Sequence, residues 1–357
     1  MTLHRTQAFD EASIDCYRNE IPSFIAEELV NLYQTLHSSL PFFETFRKLA
    51  HISCYVSRRS GCPSSIFLFA LSGRRIDVLN EMIEVDKQEL EQFTRYIFVK
   101  FPQVDIISFK ALKTSTSGFH YPVQKYGSKE TYYIALPETP DEYTASIGKS
   151  TRASIQNRSN QLRRTFPSFR SEFRTGSDID DTELQVIMKL SEAKINANGH
   201  RLTHDVEKIT ALAKKCGFVN VLLIEGRVCA GSINYQIGSN YFGEVIAYDS
   251  RYDKFGLGKL CAYQTIRESI ARGGRRFYLG GGVFDFKQSL LGKPLSMDEL
   301  TIYRSRRAML LNPHNAAATV LAGHVRRWKK VLHEHQKNIL ARSVFNCFYF
   351  FKSRNVK

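Results

Sequence analysis

The first third of the chain alternates between helical and strand-like spacing of its apolar residues. Residues 10–38 carry a helical pattern, broken at Ile21-Pro22, because proline breaks a helix interior. Short apolar runs follow at 51–57 (HISCYVS), 66–71 (IFLFAL) and about 75–79, each of strand length. The spacing predicts a helix over 86–100 with Asp86 as its N-cap, then a strand at 104–109 (VDIISF). Residues 114–118 and Tyr121-Pro122 read as loop, and a strand fits 131–136 (TYYIAL).

From Asp141 a long basic helix is expected over about 143–165, ending before Phe166-Pro167. Helices at 180–197 and 205–216 would be capped by Asp180 and Asp205, the second stopping at Gly217. Three strand-like runs come next, at 218–224, 228–237 and 241–248, with Glu225-Gly226-Arg227 as a hairpin signal. A loop at 249–258 leads to a helix at 259–272, halted by Gly273-Gly274. Strands follow at 275–280 and 298–304, and a basic helix over 313–341. The first half repeats a shorter version of this order of elements without sequence identity.

Composition narrows the class. The 357 residues are 43% apolar and 24% charged, which fits a globular chain of roughly two domains. No apolar run approaches the ~20 residues of a membrane span, and the start, MTLHRTQAFDEAS, has no apolar core of a secretory signal. The seven cysteines form no CxxC pair, which argues against a disulfide scaffold or zinc ribbon and for a cytoplasmic protein. The net charge of +15 is concentrated. Residues 143–171 hold six basic residues and no acid, and residues 304–357 hold twelve against Glu334 alone. Such clustering marks either solvated helix faces or a phosphate-bearing partner. No helix-turn-helix, zinc-finger or RNP pattern accompanies it, so specific DNA binding is not expected.

The segment from Asp249 to Leu260 joins a strand to a helix and contains Gly256-Leu257-Gly258. Glycines admit close backbone approach, and N–H groups at a helix start face an anion. An ordinary loop with two turn glycines would read the same way. An antiparallel meander, a GxG loop, a helix and a strand together resemble the GNAT acyltransferase superfamily. There a Q/R-x-x-G-x-G/A loop cradles the CoA pyrophosphate, and acyl transfer occurs where two strands splay; here Asp253 stands at the Q/R position. Tyr143, Ser146, Lys149, Arg152, Arg158 and Leu162-Arg163-Arg164 resemble the basic helix of the CelD/BcsL-type branch, associated with exopolysaccharide synthesis. Leu279-Gly280-Gly281-Gly282-Val283-Phe284-Asp285-Phe286-Lys287 is similar to a segment of FemABX-type transferases, which are double-GNAT enzymes.

The resemblance implies an α/β (α+β) fold of two GNAT-like units, each a mostly antiparallel mixed sheet flanked by helices, the C-terminal one better formed. The expected divisions are a degenerate GNAT-like domain at 1–136, a basic linking helix and strand at 137–178, an acyltransferase domain at 179–310 and a basic extension at 311–357. It also implies acetyl-CoA or another acyl-CoA as co-substrate, with no metal. Arg251, Lys254, Phe255, Gly256, Leu257, Gly258 and Lys259 would hold the co-substrate, and Arg152, Arg158, Gly281 and Asp285 the acceptor.

Acyl transfer needs a base, oxyanion stabilisation and an acid for the leaving group. Glu244 is the carboxylate inside the third strand run, with Asp249 at its end; it reads either as the base or as a carboxylate on a polar strand face. Tyr248 lies on the same face, as leaving-group acid or as a core tyrosine. Lys287 follows the glycine turn and could neutralise phosphate or oxyanion charge. His200 and His204 fall in an expected loop, which does not make a metal pair, and Cys229 and Cys261 read as packing residues.

The acceptor would be an amine or hydroxyl on a sugar, nucleotide sugar or envelope precursor. The alternatives are a FemABX-like aminoacyl transfer from charged tRNA and a non-catalytic module binding nucleic acid or an anionic surface. Trp328 and the aromatic end, Phe345, Phe348, Tyr349, Phe350 and Phe351, beside basic residues, suit either an anionic membrane at its inner face or a cap on the core.

Overall fold

The computed structural model describes residues 13–128, 131–197, 201–281 and 285–313. The expected basic helix at 313–341 and the aromatic end lie outside these residues, apart from residue 313. So do His200 and Gly282-Val283-Phe284. In chain order the elements are β1 (Ser13–Tyr17), α1 (Ile25–Tyr33), α2 (Leu40–Phe46), β2 (Ile52–Arg59), β3 (Cys62–Ser72), β4 (Arg75–Val78), β5 (Ile83–Glu84), α3 (Lys87–Lys100), β6 (Ile106–Lys113), β7 (Val123–Gly127), β8 (Thr131–Ala135), α4 (Pro140–Ser146) and α5 (Lys149–Thr165). There follow β9 (Arg170–Thr175), α6 (Asp181–Ala197), α7 (Val206–Cys216), β10 (Gly217–Ile224), β11 (Arg227–Ile237), β12 (Asn240–Tyr248), α8 (Leu257–Ala271), β13 (Arg276–Gly281), α9 (Asp285–Ser289), β14 (Lys293–Leu295), β15 (Asp298–Tyr303) and α10 (Arg306–Leu311). Two mixed, mostly antiparallel sheets flanked by helices result, as the resemblance implied.

Two expectations need correction. Residues 13–17 are a strand paired antiparallel with β2, not part of a helix; cross-strand hydrogen bonding outweighs a weak local pattern. The long basic helix is two helices, because Ile147 and Gly148 take extended backbone and Gly148 becomes the N-cap of α5. Among the described residues no helix is long and apolar enough to cross a membrane.

Among the described residues two compact units emerge, one within 13–66 and 131–295 and the other within 67–128 and 296–313. In the first, seven strands run in the order β14-β8-β13-β12-β11-β10-β9. β10 is buried along all eight residues, which explains its near-continuous apolar sequence. Glu225 and Gly226 both take positive φ (51° and 74°), as a two-residue β10–β11 hairpin with the strands' twist requires. Asp180 and Asp205 cap α6 and α7 as expected, and backbone N–H groups of Thr182 and Glu183 hold the Asp180 carboxyl below its usual range.

Helices pack on both faces of this sheet. On one, α6 lies so close that a Cβ on Gly231 would meet Ile187 Cδ1 at 2.4 Å. On the other, a buried polar chain ties α8 down. Asn220 Nδ2 donates to Thr265 Oγ1 at 3.1 Å, Thr265 and Ser232 share a hydrogen bond at 3.0 Å, and Asn234 Nδ2 donates to Ser232 Oγ at 2.9 Å.

In the second unit β3, β4, β6, β15 and β7 are neighbours in that order, with β5 on β6. Phe93 of α3 packs against Phe67, Phe69 and Phe109, the ring centroids 4.6 to 6.1 Å apart. Arg304 closes the end of α3: Nε, Nη1 and Nη2 donate to the carbonyls of Val104, Phe98 and Phe101 at 2.7 to 2.8 Å. Three carbonyls met by one planar fork are beyond a lysine's reach. Arg304→Ala is expected to cost at least about 2 kcal/mol in urea unfolding, since each bond from a charged donor contributes about 1.5–3 kcal/mol. Arg304→Lys should recover little of it, and a lysine variant as stable as wild type would contradict this role.

Candidate active site

The candidate site begins with a fault in a strand ladder. β11 and β12 pair in register from Ile237↔Asn240 to Asn234↔Gly243, and then Ile233 faces Val245. Glu244 is therefore an extra residue, a β-bulge, which bends a strand and leaves its residue out of the ladder. On its other edge β12 pairs in parallel with β13 at only three positions, ending at Phe242↔Tyr278. Beyond them the two strands diverge. Glycines permit the close approach just there: a Cβ on Gly243 would sit 3.3 Å from the Tyr278 carbonyl oxygen, and one on Gly280 (φ 71°) 3.4 Å from that of Gly243.

The divergence opens a cleft. Glu244 and Ile246, with Ser232, Asn234, Thr265 and Phe286, line a cavity of about 60 Å³. Ile246 and Phe286 continue into a second of about 210 Å³, with Tyr248, Lys194, Gly258 and Lys259. Residues 244, 246 and 248 share a strand face, so Glu244 and Tyr248 look into one cleft. Lys194, reaching in from α6, sets its Nζ 3.8 Å from the centre of the Tyr248 ring, within cation–π range.

Tyr248 leads into a turn that opens α8. Asp249 caps a short 3-10 helix, Ser250–Phe255, and Gly256 (φ 61°, ψ 40°) ends that turn and caps α8. Arg158 of α5 lies over this glycine: an added Cβ would come within 2.5 Å of its Nη1. Lys259 faces the same small cavity as Ser154, Arg158 and Gly256. Gly256, Gly258, Lys259 and Arg158 are thus brought together, beside Tyr248.

Other expected site residues are committed elsewhere. Arg251 Nη2 pairs with Asp249 Oδ2 at 2.6 Å, and these bonds hold the Asp249 carboxyl below its usual range, making it a poorer base. Lys254 lies 5.0 Å from the centre of the Phe255 ring. Phe255 and Leu257 are core side chains, leaving only their backbone to a ligand. Arg152 Nη1 donates to the carbonyls of Thr144 and Ala145 at the end of α4. Lys287 is buried, its Nζ 3.0 Å from the Gly280 carbonyl oxygen and 5.6 Å from the centre of the Tyr132 ring. Gly281 ends β13 opposite Thr131, and Asp285 opens α9.

Burial pushes the Cys229 and Cys261 thiols up to about 12, which does not suit a nucleophile. Among the described residues no group of three or more His, Cys, Asp or Glu could hold a metal ion. No local pattern marks Lys194, which stands 54 residues before Tyr248, or the contact between Arg158 and Gly256. The bulge had one faint mark, Gly243 inside a strand pattern.

Residues 149–288 match the family model of the acetyltransferase (GNAT) domain. No curated protein matches the sequence. Among solved structures, FemX is similar with a TM-score of 0.62 at 10% identity, covering 83% of this chain and 99% of its own. A conserved protein of unknown function from Bacteroides thetaiotaomicron VPI-5482 gives 0.54 at 12%, covering 80% and 99%. L-PGS from Bacillus licheniformis gives 0.44 at 15%, covering 73% and 85%. The chain carries a GNAT acetyltransferase domain and is by class an acyltransferase; GNAT domains use acyl-CoA as co-substrate.

The packing of Gly258 gives a direct check. A Cβ there would sit 2.8 Å from Tyr248 Cε1, so this glycine makes room for the tyrosine ring as well as for any ligand. Gly258→Val is expected to lower stability by about 1–3 kcal/mol by overpacking, while Gly258→Val combined with Tyr248→Ala recovers part of the loss. A double variant no more stable than the single one in urea unfolding would show that the clash is not with Tyr248.

Proposed function

We propose that this chain moves an acyl group, acetyl in the first instance, from acyl-CoA to an amine or hydroxyl of a sugar, nucleotide sugar or cell-envelope precursor. The observation carrying this reading is the bulged Glu244 at the divergence of β12 and β13, on one strand face with Tyr248 and next to the turn that opens α8. Glu244 takes the proton of the attacking amine or hydroxyl. A C–N or C–O bond forms at the acyl carbon as its C–S bond breaks, and Tyr248 gives its proton to the departing sulfur.

The residues at the start of α8 fit the diphosphate of acyl-CoA. Gly256 lets the Arg158 guanidinium lie against the backbone at the helix start, Lys259 adds a second positive charge there, and helix-start N–H groups favour an anion. Arg158 thereby acts toward the donor and supplies the positive charge that Asp253, standing at the Q/R position of the loop, does not. Lys287 holds the Gly280 turn in the β13 wall and sets charge near the reacting carbonyl. Gly281 and Asp285 remain for the acceptor, whereas Arg152 is held on the end of α4. The basic helix similar to the CelD/BcsL-type branch supports an exopolysaccharide or envelope acceptor, handled in the cytoplasm or at the inner face of the membrane.

A second reading, aminoacyl transfer from charged tRNA, has one observation in its favour. Arg152, Arg158, Arg163 and Arg164 are all exposed on α5, a concentration of positive charge suited to a phosphate backbone, and the FemABX-type resemblance points the same way. Thermal-shift measurements against acetyl-CoA, longer acyl-CoAs and charged tRNA separate the two. Acetyl-CoA at 100 times its dissociation constant should stabilise the fold by about 2.7 kcal/mol. Stabilisation by charged tRNA alone would overturn the acyl-CoA reading. Glu244→Gln should bind acetyl-CoA as wild type does and release its thiol to an amino-sugar acceptor about 10²–10⁴-fold more slowly. An unchanged rate would remove Glu244 from the chemistry.

A further inference from the structure

The cleft holds a polar group that the chemistry above does not use. Asn234 stands on β11 directly opposite Gly243, at the step where the ladder slips and Glu244 leaves it. The residue is only 2% exposed, and it lines the same cavity of about 60 Å³ as Glu244. A cavity of that size takes more than one water-sized group.

The surroundings fix which way the Asn234 amide points. Nδ2 faces the carbonyl oxygens of Phe218 at 2.9 Å and Ser232 at 3.3 Å, and Ser232 Oγ at 2.9 Å. An oxygen in that position would meet the two carbonyls lone pair to lone pair, so the nitrogen belongs there. Oδ1 is therefore turned the other way. Among the described residues nothing donates to it. Gly243 leaves it uncovered, since a Cβ there would lie 3.5 Å from Oδ1. A nearly buried amide oxygen without a donor is costly, so a donor entering the cavity gains by meeting it.

Glu244 and Asn234 thus offer the cavity two different acceptors. A carboxylate can take a proton and keep it, whereas an amide oxygen only accepts a hydrogen bond. A primary amine that attacks through its lone pair carries two N–H groups. As the C–N bond forms and the C–S bond breaks, one proton passes to Glu244. The other hydrogen stays on the nitrogen, in the amide product.

We propose that Asn234 is a specificity-determining residue of this cleft: its Oδ1 holds the hydrogen that the attacking amine keeps, while Glu244 takes the one it loses. The assignment rests on acyl transfer at Glu244 as proposed above. A hydroxyl, or an amine with a single hydrogen, gives that hydrogen to Glu244 and leaves Oδ1 unpaired, which a site built around two acceptors penalises.

Steady-state transfer from acetyl-CoA to glucosamine and to its N-methyl derivative, which has one N–H, tests this on the full chain. Wild type should give glucosamine a kcat/KM about tenfold higher. Asn234→Ala, shown by thermal unfolding to be folded, should bring the ratio near one by slowing glucosamine. A role confined to seating α8 would slow both amines alike, and that unchanged ratio would overturn the proposal. So would a ratio that falls because the methylated amine speeds up, which is relief of crowding. Gly243→Ala is the second variant, because it leaves the Asn234 donors bonded and sets a methyl 3.5 Å from Oδ1. It should lower the ratio too, and decides the matter if Asn234→Ala does not fold. Equal kcat/KM for the two amines in wild type would overturn the role of Asn234 while leaving the acyl-CoA reading standing. If acetyl-CoA supports no transfer, the ratio is read with charged tRNA as donor; a preference that Asn234→Ala abolishes then keeps Asn234 and ends the acyl-CoA reading. Transfer to glucosamine from neither donor would remove Asn234 from the chemistry.

Discussion

Three residue pairs of parallel ladder, from Asn240↔Arg276 to Phe242↔Tyr278, set the rest of the catalytic unit. Parallel neighbours cannot be joined by a hairpin, so the chain must leave β12, cross over and return. That crossover is α8, and the turn into it is the glycine loop. Because the shared ladder is so short, β12 runs on for its last six residues paired with β11 but not with β13, bending at the Glu244 bulge as it parts from β13. The cleft and the anion-favouring helix start are thus two results of one connection, at the carboxyl end of the strand, where open α/β sheets place their ligands.

The crossover helix is held as firmly as this role requires. Asn220, Ser232, Asn234 and Thr265 are buried, and their hydrogen bonds run from two adjacent strands to α8. Hydrophobic packing alone would let a helix slide over a sheet. A satisfied polar chain fixes its position, since any shift leaves buried donors unpaired. Ser232, Asn234 and Thr265 also line the cleft, so the groups that seat α8 form part of its wall.

Much of this was legible in the order of residues, and the limits follow from physics. The β10–β12 meander announced itself through apolar runs and the Glu225-Gly226 turn, and Asp86, Asp180 and Asp205 marked helix starts by local hydrogen bonds. Glu244, Tyr248 and the glycine loop lie within fifteen residues, where spacing carries information. β1 departs from its local helical pattern because its stability comes from β2, some forty residues away. The seating of Arg158 on Gly256 and the contact of Lys194 with Tyr248 depend on packing between elements far apart in sequence. No local pattern encodes those contacts.

Hydrogen–deuterium exchange on the full chain, with and without acetyl-CoA, tests the central claim most directly. A donor held between the diverging strands and the start of α8 should slow exchange together in residues 243–248 and 255–262, and leave the unit formed by 67–129 with 296–313 unchanged. Absence of protection in both segments at saturating acetyl-CoA, or protection confined to the second unit, would contradict the account.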